Sequence, residues 1–193
     1  MTLIEAVKPY KIILASKSPR RIQFLKDLEI PFEIASIDVK EIYDFSLKKE
    51  EITNYLCKLK ADAYEFRQDN EIIITCDTIV WANEKALGKP NNYEEAFEML
   101  QSLSGKTHEV VSSVCLKSTS KEMVFHDITR VTFADLSTED IHHYITTYQP
   151  YDKAGAYGIQ EWIGIIGIKK IEGSYTNVVG MPMEKLFNAL KSF

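Results

Sequence analysis

Hydrophobic positions along this chain switch repeatedly between a strand rhythm and a helix rhythm. Ile12-Ile13-Leu14 is a short apolar run that reads as a buried strand. Ile22, Leu25 and Leu28 then recur at helical spacing, and Pro31 to Ala35 reads as a second strand. Ile52, Tyr55, Leu56, Leu59 and Ala63 predict a helix over 49–67. Residues 71–81 are the most apolar segment and lack clean alternation, as in a central strand covered on both faces. Asn83-Glu84-Lys85 reads as a turn, and Gly88-Lys89-Pro90 as a fixed loop. Ala96, Phe97, Leu100 and Leu103 predict a helix over 93–103 that stops at Gly105.

Two long strand-like segments, 108–117 and 123–134, flank a hairpin connection at Ser118 to Lys121. A helix to Tyr148 opens at Ser137 or Thr138 and is closed by Pro150. Residues 151–160 form a glycine-rich loop, 163–171 read as a strand, and 173–180 as a turn-rich connection. A last helix starts at Pro182 and carries Met183, Leu186, Phe187 and Leu190 on one face. Residues 1–10 read as a short extension, and Asp38 to Leu47 as a polar connection. Early strand–helix alternation with a hairpin in the middle predicts an α/β fold on a mixed sheet.

Composition narrows the class. A chain of 193 residues, 45% hydrophobic and 26% charged, suits one soluble globular domain over 1–193, built of two lobes at most. A net charge of -5 argues against binding a nucleic-acid polymer, but leaves room for a local cationic pocket. No run is long enough to cross a membrane and no signal peptide is recognisable. Cys57, Cys76 and Cys115 have no metal-binding spacing and lie among apolar neighbours. They read as reduced thiols of a cytoplasmic protein.

Candidate chemistry begins at Ser16-Lys17-Ser18-Pro19-Arg20-Arg21. Ser18 falls at an N-cap and Pro19 at the first helical position. Free N–H groups at a helix start beside two guanidinium groups suit phosphate, although a capped helix with solvated arginines explains the same residues. Asp77 is the second candidate, because a carboxylate in so apolar a strand must be paired, hydrogen-bonded or metal-bound. It marks the strand's functional end or a bend at a cleft, and could deprotonate a water or hold a divalent ion. Lys60, Lys89 and Lys153 are cations that could face it. Walker A, GxGxxG, GxSxG and HExxH motifs are absent, and the four histidines form no metal-ligand pattern.

Five blocks then align together. They are Leu14-Ala15-Ser16-x-Ser18-Pro19-Arg20-Arg21, Asp77-Thr78, Gly88-Lys89-Pro90, Leu103 to Val110, and Asp152 to Gln160. In this order and spacing they resemble the Maf-like nucleoside triphosphate pyrophosphatases, in particular the dTTP/UTP-cleaving subfamily. The resemblance implies a mixed sheet flanked by helices in two lobes with a central cleft, like the inosine triphosphate pyrophosphatases. It implies hydrolysis of a nucleoside triphosphate to monophosphate and pyrophosphate with a divalent cation, Mg²⁺ or Mn²⁺. Asp77 matches the proton acceptor, and Arg20, Thr78 and Gln160 match the positions that mark pyrimidine specificity. Ser16, Arg21, Lys60, Lys89 and Lys153 match further polar positions of the family cleft, and Glu41 a metal ligand beside Asp77. A homodimer is an open expectation, and a non-catalytic nucleotide-binding regulator of septum formation is the alternative function.

The sequence departs from the family pattern at Cys76, at Glu161-Trp162 and at Met181-Pro182-Met183, where smaller or different residues are usual. None of these removes a group the reaction needs.

Overall fold

The computed structural model describes residues 2–193. A seven-stranded sheet runs in the order β2-β1-β3-β5-β6-β7, with β4 paired to β3. Its strands are β1 (Lys11–Leu14), β2 (Phe32–Ile34), β3 (Glu71–Ala82), β4 (Lys85–Leu87), β5 (Thr107–Lys117), β6 (Glu122–Phe133) and β7 (Ile168–Glu172). β1 runs parallel to β2 and β3, whereas β4 and β7 lie antiparallel to β3 and β6, so the sheet is mixed as predicted. The helices are α1 (Leu3–Val7), α2 (Pro19–Asp27), α3 (Glu50–Asp62), α4 (Tyr93–Leu103), α5 (Thr138–Tyr148), α6 (Trp162–Gly167), α7 (Tyr175–Val179) and α8 (Met183–Ser192).

Two compact units share these elements. The first holds the chain as far as Asp77, with Ser112–Asp127 and Gly180–Phe193; the second holds Thr78–Val111 and Ile128–Val179. In the first unit Ile72, Ile74 and Cys76 enter one core with Leu3, Leu14, Leu25 and Leu186, while Ile73 enters another with Cys57, Ala61 and Cys115. Both faces of β3 are therefore apolar, which removes the alternation expected of a half-exposed strand. The second unit has its own core, centred on Leu100, Phe133, Tyr144 and Ile163.

Several segments differ from the sequence reading. The segment 163–171 is α6 followed by β7, not one strand. Ile163 and Gly167 are buried four residues apart while Ile165 and Ile166 are exposed, which is a helical period that two glycines obscure. Residues 175–179 are helical rather than a turn, because buried Asn177 donates to the Val110 carbonyl (3.0 Å) and Thr129 Oγ1 (2.9 Å). The extension 1–10 contains α1, started by a capping box between Thr2 and Glu5. α3 ends at Asp62 and not at Arg67, since Glu71 Oε2 accepts from Tyr64 Oη (3.1 Å) and the Arg67 amide (2.8 Å) and turns that segment off the helix axis. Asn83 and Glu84 both take positive φ, 50° and 58°, and close a two-residue hairpin between β3 and β4.

Candidate active site

In the first unit the site is built on β3 and α3. Strand residues of one parity, Ile73, Thr75 and Asp77, share a face. On α3, Cys57, Lys60 and Ala61 share a face by i, i+3, i+4 spacing. These two faces meet: Ile73 packs with Cys57 and Ala61, and Thr75 Oγ1 donates to the Cys57 carbonyl at 2.6 Å. One step further along both elements, Lys60 Nζ stands 2.6 Å from Asp77 Oδ1. The same ammonium lies 3.0 Å from Glu41 Oε1, which comes from the irregular connection after β2.

Asp77 does not end its strand, which continues to Ala82. What ends there is its neighbour. β1 pairs with β3 only as far as Leu14 opposite Ile74, so Asp77 lies beyond the carboxyl end of β1, where parallel sheets collect ligands. A cavity of about 510 Å³, bordered by Lys11, Ala35, Asp38, Tyr64, Arg67 and Glu71, includes none of the candidate residues.

Burial pushes the Asp77 carboxyl above its ordinary range, against the pull of Lys60 and of the nearby Arg21 guanidinium. Burial alone would push Lys60 down, but the charges of Asp77 and Glu41 and their hydrogen bonds hold its ammonium above the usual lysine value. The outcome is a paired cation beside a carboxyl group that burial makes harder to ionise.

The segment after β1 starts α2 at Pro19, as expected. The Ser18 hydroxyl makes no capping bond; instead Ser16 Oγ accepts from the Ser18 amide at 3.2 Å. Arg20 is half-buried on the first turn of α2. Arg21 Nε donates to the Gly180 carbonyl (3.0 Å) and Nη1 to the Cys76 carbonyl (2.8 Å). Its guanidinium thus clamps β3 beside Asp77 as well as adding positive charge. Cys76 Sγ donates to the same Gly180 carbonyl at 3.2 Å, which gives the unusual cysteine a packing role.

In the second unit Thr78 is half-buried on β3, and Lys89 is exposed after Gly88. The Gly155 amide donates to the Gly88 carbonyl at 2.9 Å, joining the Lys89 loop to the loop of Lys153 and Gln160. Gly155 has φ +70°, and a Cβ there would lie 2.8 Å from Val80, so glycine is required on both counts. Lys153 is buried and contacts Asp152 Oδ1 (2.6 Å) and Glu161 Oε1 (3.1 Å), whereas Gln160 is exposed. Glu161 and its partner Tyr144 are the residues that sequence reasoning missed. Glu161 was visible as a departure from the family pattern; Tyr144 looks like any apolar position of α5.

Comparisons with known proteins show the family. The Maf-like protein family model matches residues 11–193. A dTTP/UTP pyrophosphatase of Flavobacterium johnsoniae is 58% identical over 189 residues, 97% of each chain. A dTTP/UTP pyrophosphatase of Christiangramia forsetii is 52% identical over 190 residues, 98% of this chain and 97% of its own. Among solved structures, the Ham1 protein of Staphylococcus aureus is similar at TM-score 0.45 and 17% identity, covering 65% of this chain and 72% of that one. With full-length identity above one half and a family match over all but the first ten residues, the chain belongs to the Maf-like protein family.

Proposed function

We infer that this protein hydrolyses nucleoside triphosphates, dTTP and UTP foremost, to the monophosphate and pyrophosphate. The observation that carries the reading is the buried Asp77 carboxylate held at 2.6 Å by Lys60, in a chain 58% identical to a dTTP/UTP pyrophosphatase. A water placed against Asp77 gives up a proton to its carboxylate as the water oxygen attacks the α-phosphorus. The bond from the α-phosphorus to the bridging oxygen breaks, and pyrophosphate leaves with that oxygen. Lys60 keeps Asp77 fixed during this step. Ser16, Arg20, Arg21 and the start of α2 bind phosphate oxygens, with Lys89 and Lys153 as further cations for the polyphosphate. Arg20, Thr78 and Gln160 set the preference for pyrimidines, the Gln160 carboxamide offering both a donor and an acceptor to the base edge.

The residues fit a divalent cation. Asp77 and Glu41 both contact the Lys60 ammonium, and their carboxylate oxygens are hard donors of the kind Mg²⁺ or Mn²⁺ prefers. Among the described residues no group of three or more His, Cys, Asp or Glu side chains could hold an ion. A two-carboxylate site that leaves positions for water and substrate phosphates is the usual Mg²⁺ arrangement. Asp77 and Glu41 would hold the ion, which supplies neutralisation of phosphate charge. Three buried cysteines outside any disulfide suit a reducing cytoplasm, and no helix among the described residues is long and apolar enough to cross a membrane.

Incubation with a nucleotide panel and Mg²⁺, followed by separate detection of pyrophosphate and orthophosphate, tests the reading. Pyrophosphate from dTTP and UTP ahead of purine nucleotides is expected. A purine preference overturns the subclass, orthophosphate overturns the bond cleaved, and intact bound dTTP points to a nucleotide-binding regulator.

A further inference from the structure

The loop that carries Lys153 and Gln160 has little regular structure of its own, containing only a single 3₁₀ turn at Ala154–Ala156. Something outside it must hold it. The Gly88 carbonyl holds its early part at Gly155, and the end that carries Gln160 has a second outside support in Tyr144 on α5, which is fully buried. Its hydroxyl donates to Glu161 Oε2 and accepts from the Gly158 amide at 3.0 Å. Burial, followed by the bond to Glu161, pushes this phenol far above its usual range, so it stays a donor. The other oxygen of Glu161 takes the Lys153 ammonium at 3.1 Å. One carboxylate therefore ties the residue just after Gln160 to the lysine near the start of the loop, and both to a rigid helix.

The fit is close. A Cβ at position 158 would lie 2.8 Å from Glu161 Cδ and 3.0 Å from Lys153 Cε, so both side chains rest on the backbone at Gly158. Lys153 also meets Asp152 Oδ1 at 2.6 Å, a neighbour within the loop itself. Trp162 follows Glu161 and opens α6, which fixes the downstream end.

The geometry points to Glu161, held by Tyr144, as a positioning residue that sets where the Lys153 ammonium and Gln160 stand. It touches no reacting atom. It acts through Lys153, and this rests on the reading of Lys153 as a cation for the polyphosphate. The carboxylate does two things at once: it places the lysine and it compensates the charge of a cation that burial would otherwise penalise. A glutamine in its place keeps a polar bond to each partner, whereas alanine keeps neither.

Three variants, Glu161→Ala, Glu161→Gln and Tyr144→Phe, test this with steady-state kinetics on dTTP, thermal melting, and amide hydrogen exchange without nucleotide. Glu161→Ala is expected to raise KM at least tenfold with a smaller change in kcat. Tyr144→Phe moves KM the same way by less, and Glu161→Gln returns KM to within threefold of the parent. Exchange at residues 154–159 quickens in the alanine and phenylalanine variants and stays slow in the glutamine one. An unchanged KM in Glu161→Ala, with only a lower melting point, overturns the proposal. So does a glutamine variant as poor as the alanine one, or exchange that no variant alters. If the parent cleaves neither dTTP nor UTP, the proposed function fails while the exchange result still decides the positioning.

Discussion

In each unit of the molecule a candidate-site lysine sits between two carboxylates, Lys60 in the first and Lys153 in the second, and the two arrangements differ in what is buried. In the first unit Lys60 joins Asp77, whose side chain is 10% exposed, to Glu41, which is 54% exposed. In the second, the lysine is the buried member: Lys153 is 9% exposed and meets Asp152, 55% exposed, and Glu161. The first hides a carboxylate on a strand and uses the lysine to keep it charged and placed. The second hides an ammonium in a loop and uses carboxylates to keep it there. A buried acid beside a fixed cation suits proton abstraction, and a buried cation with exchangeable acid partners suits anion binding. The same three groups thus suit chemistry in one place and recognition in the other.

The largest expected effect separates these roles. Asp77→Asn should retain the fold and melting behaviour but lose about a thousandfold in turnover, read as pyrophosphate release from dTTP. The equivalent change in the second unit, Asp152→Asn, should leave turnover within a few-fold. Comparable losses in both would break the division between chemistry and recognition.

Lys60→Met comes next. It leaves Asp77 buried without its nearest cation, which should cost roughly 3 kcal/mol of stability in urea titration. The Asp77 carboxyl, already raised by burial, loses the main charge that pulls it down. The proton acceptor is then protonated at higher pH, so the acid limb of the kcat/KM profile shifts upward. Lys153→Met should raise KM and leave that limb where it is.

Acid should weaken the second unit through His108. Burial lowers this imidazole from 6.5 to about 4, with Nε2 at 2.8 Å from Tyr157 Oη and its ring edge-on to Phe133. The folded chain holds it neutral while the unfolded chain can protonate it below pH 6.5. Its contribution is therefore intact above that pH and is lost as pH falls towards 4, by about 3 kcal/mol in all. His108→Gln should flatten that slope in pH-dependent melting. Amide exchange should show the acid sensitivity first around Phe133 and Tyr157, and later around Ile73 and Cys57.

Cys76→Ala is the smallest. Removing the thiol bond to the Gly180 carbonyl should lower stability by about 1 kcal/mol, with kcat within twofold, because Arg21 still holds that carbonyl. A large fall in kcat would mean that Cys76, and not the arginine alone, aligns Asp77.

Legibility followed the same division. Asp77 stood out because a carboxylate in an apolar run has few explanations, and Lys60 lies on a helix whose period was readable. That the two would meet was not readable, since it depends on register between β3 and α3. Glu41 lies in a connection with no periodicity, so only the family pattern pointed to it. In the second unit the loop could be seen as unusual, but its anchor could not. Tyr144 occupies an apolar slot of α5, and nothing in local sequence distinguishes a buried tyrosine with a partner from one that only fills space. The misread segment 163–171 failed for a related reason: glycines at 164 and 167 hide a helical period that burial makes plain.

The order in which the chain leaves the ribosome gives the first unit's composition a further meaning. Residues 180–193 complete that unit, and Leu186, Ala189 and Leu190 of α8 share a core with Leu3 and Val7 of α1. The N-terminal segment is made first and finds its packing partners only when the last helix emerges. Until then Leu3 and Val7 lack the α8 side of their core, while β1 already has Leu25, Ile30, Ile72 and Ile74 to pack against. Loss of α8 should therefore uncover Leu3 and Val7 and loosen the first unit before the second.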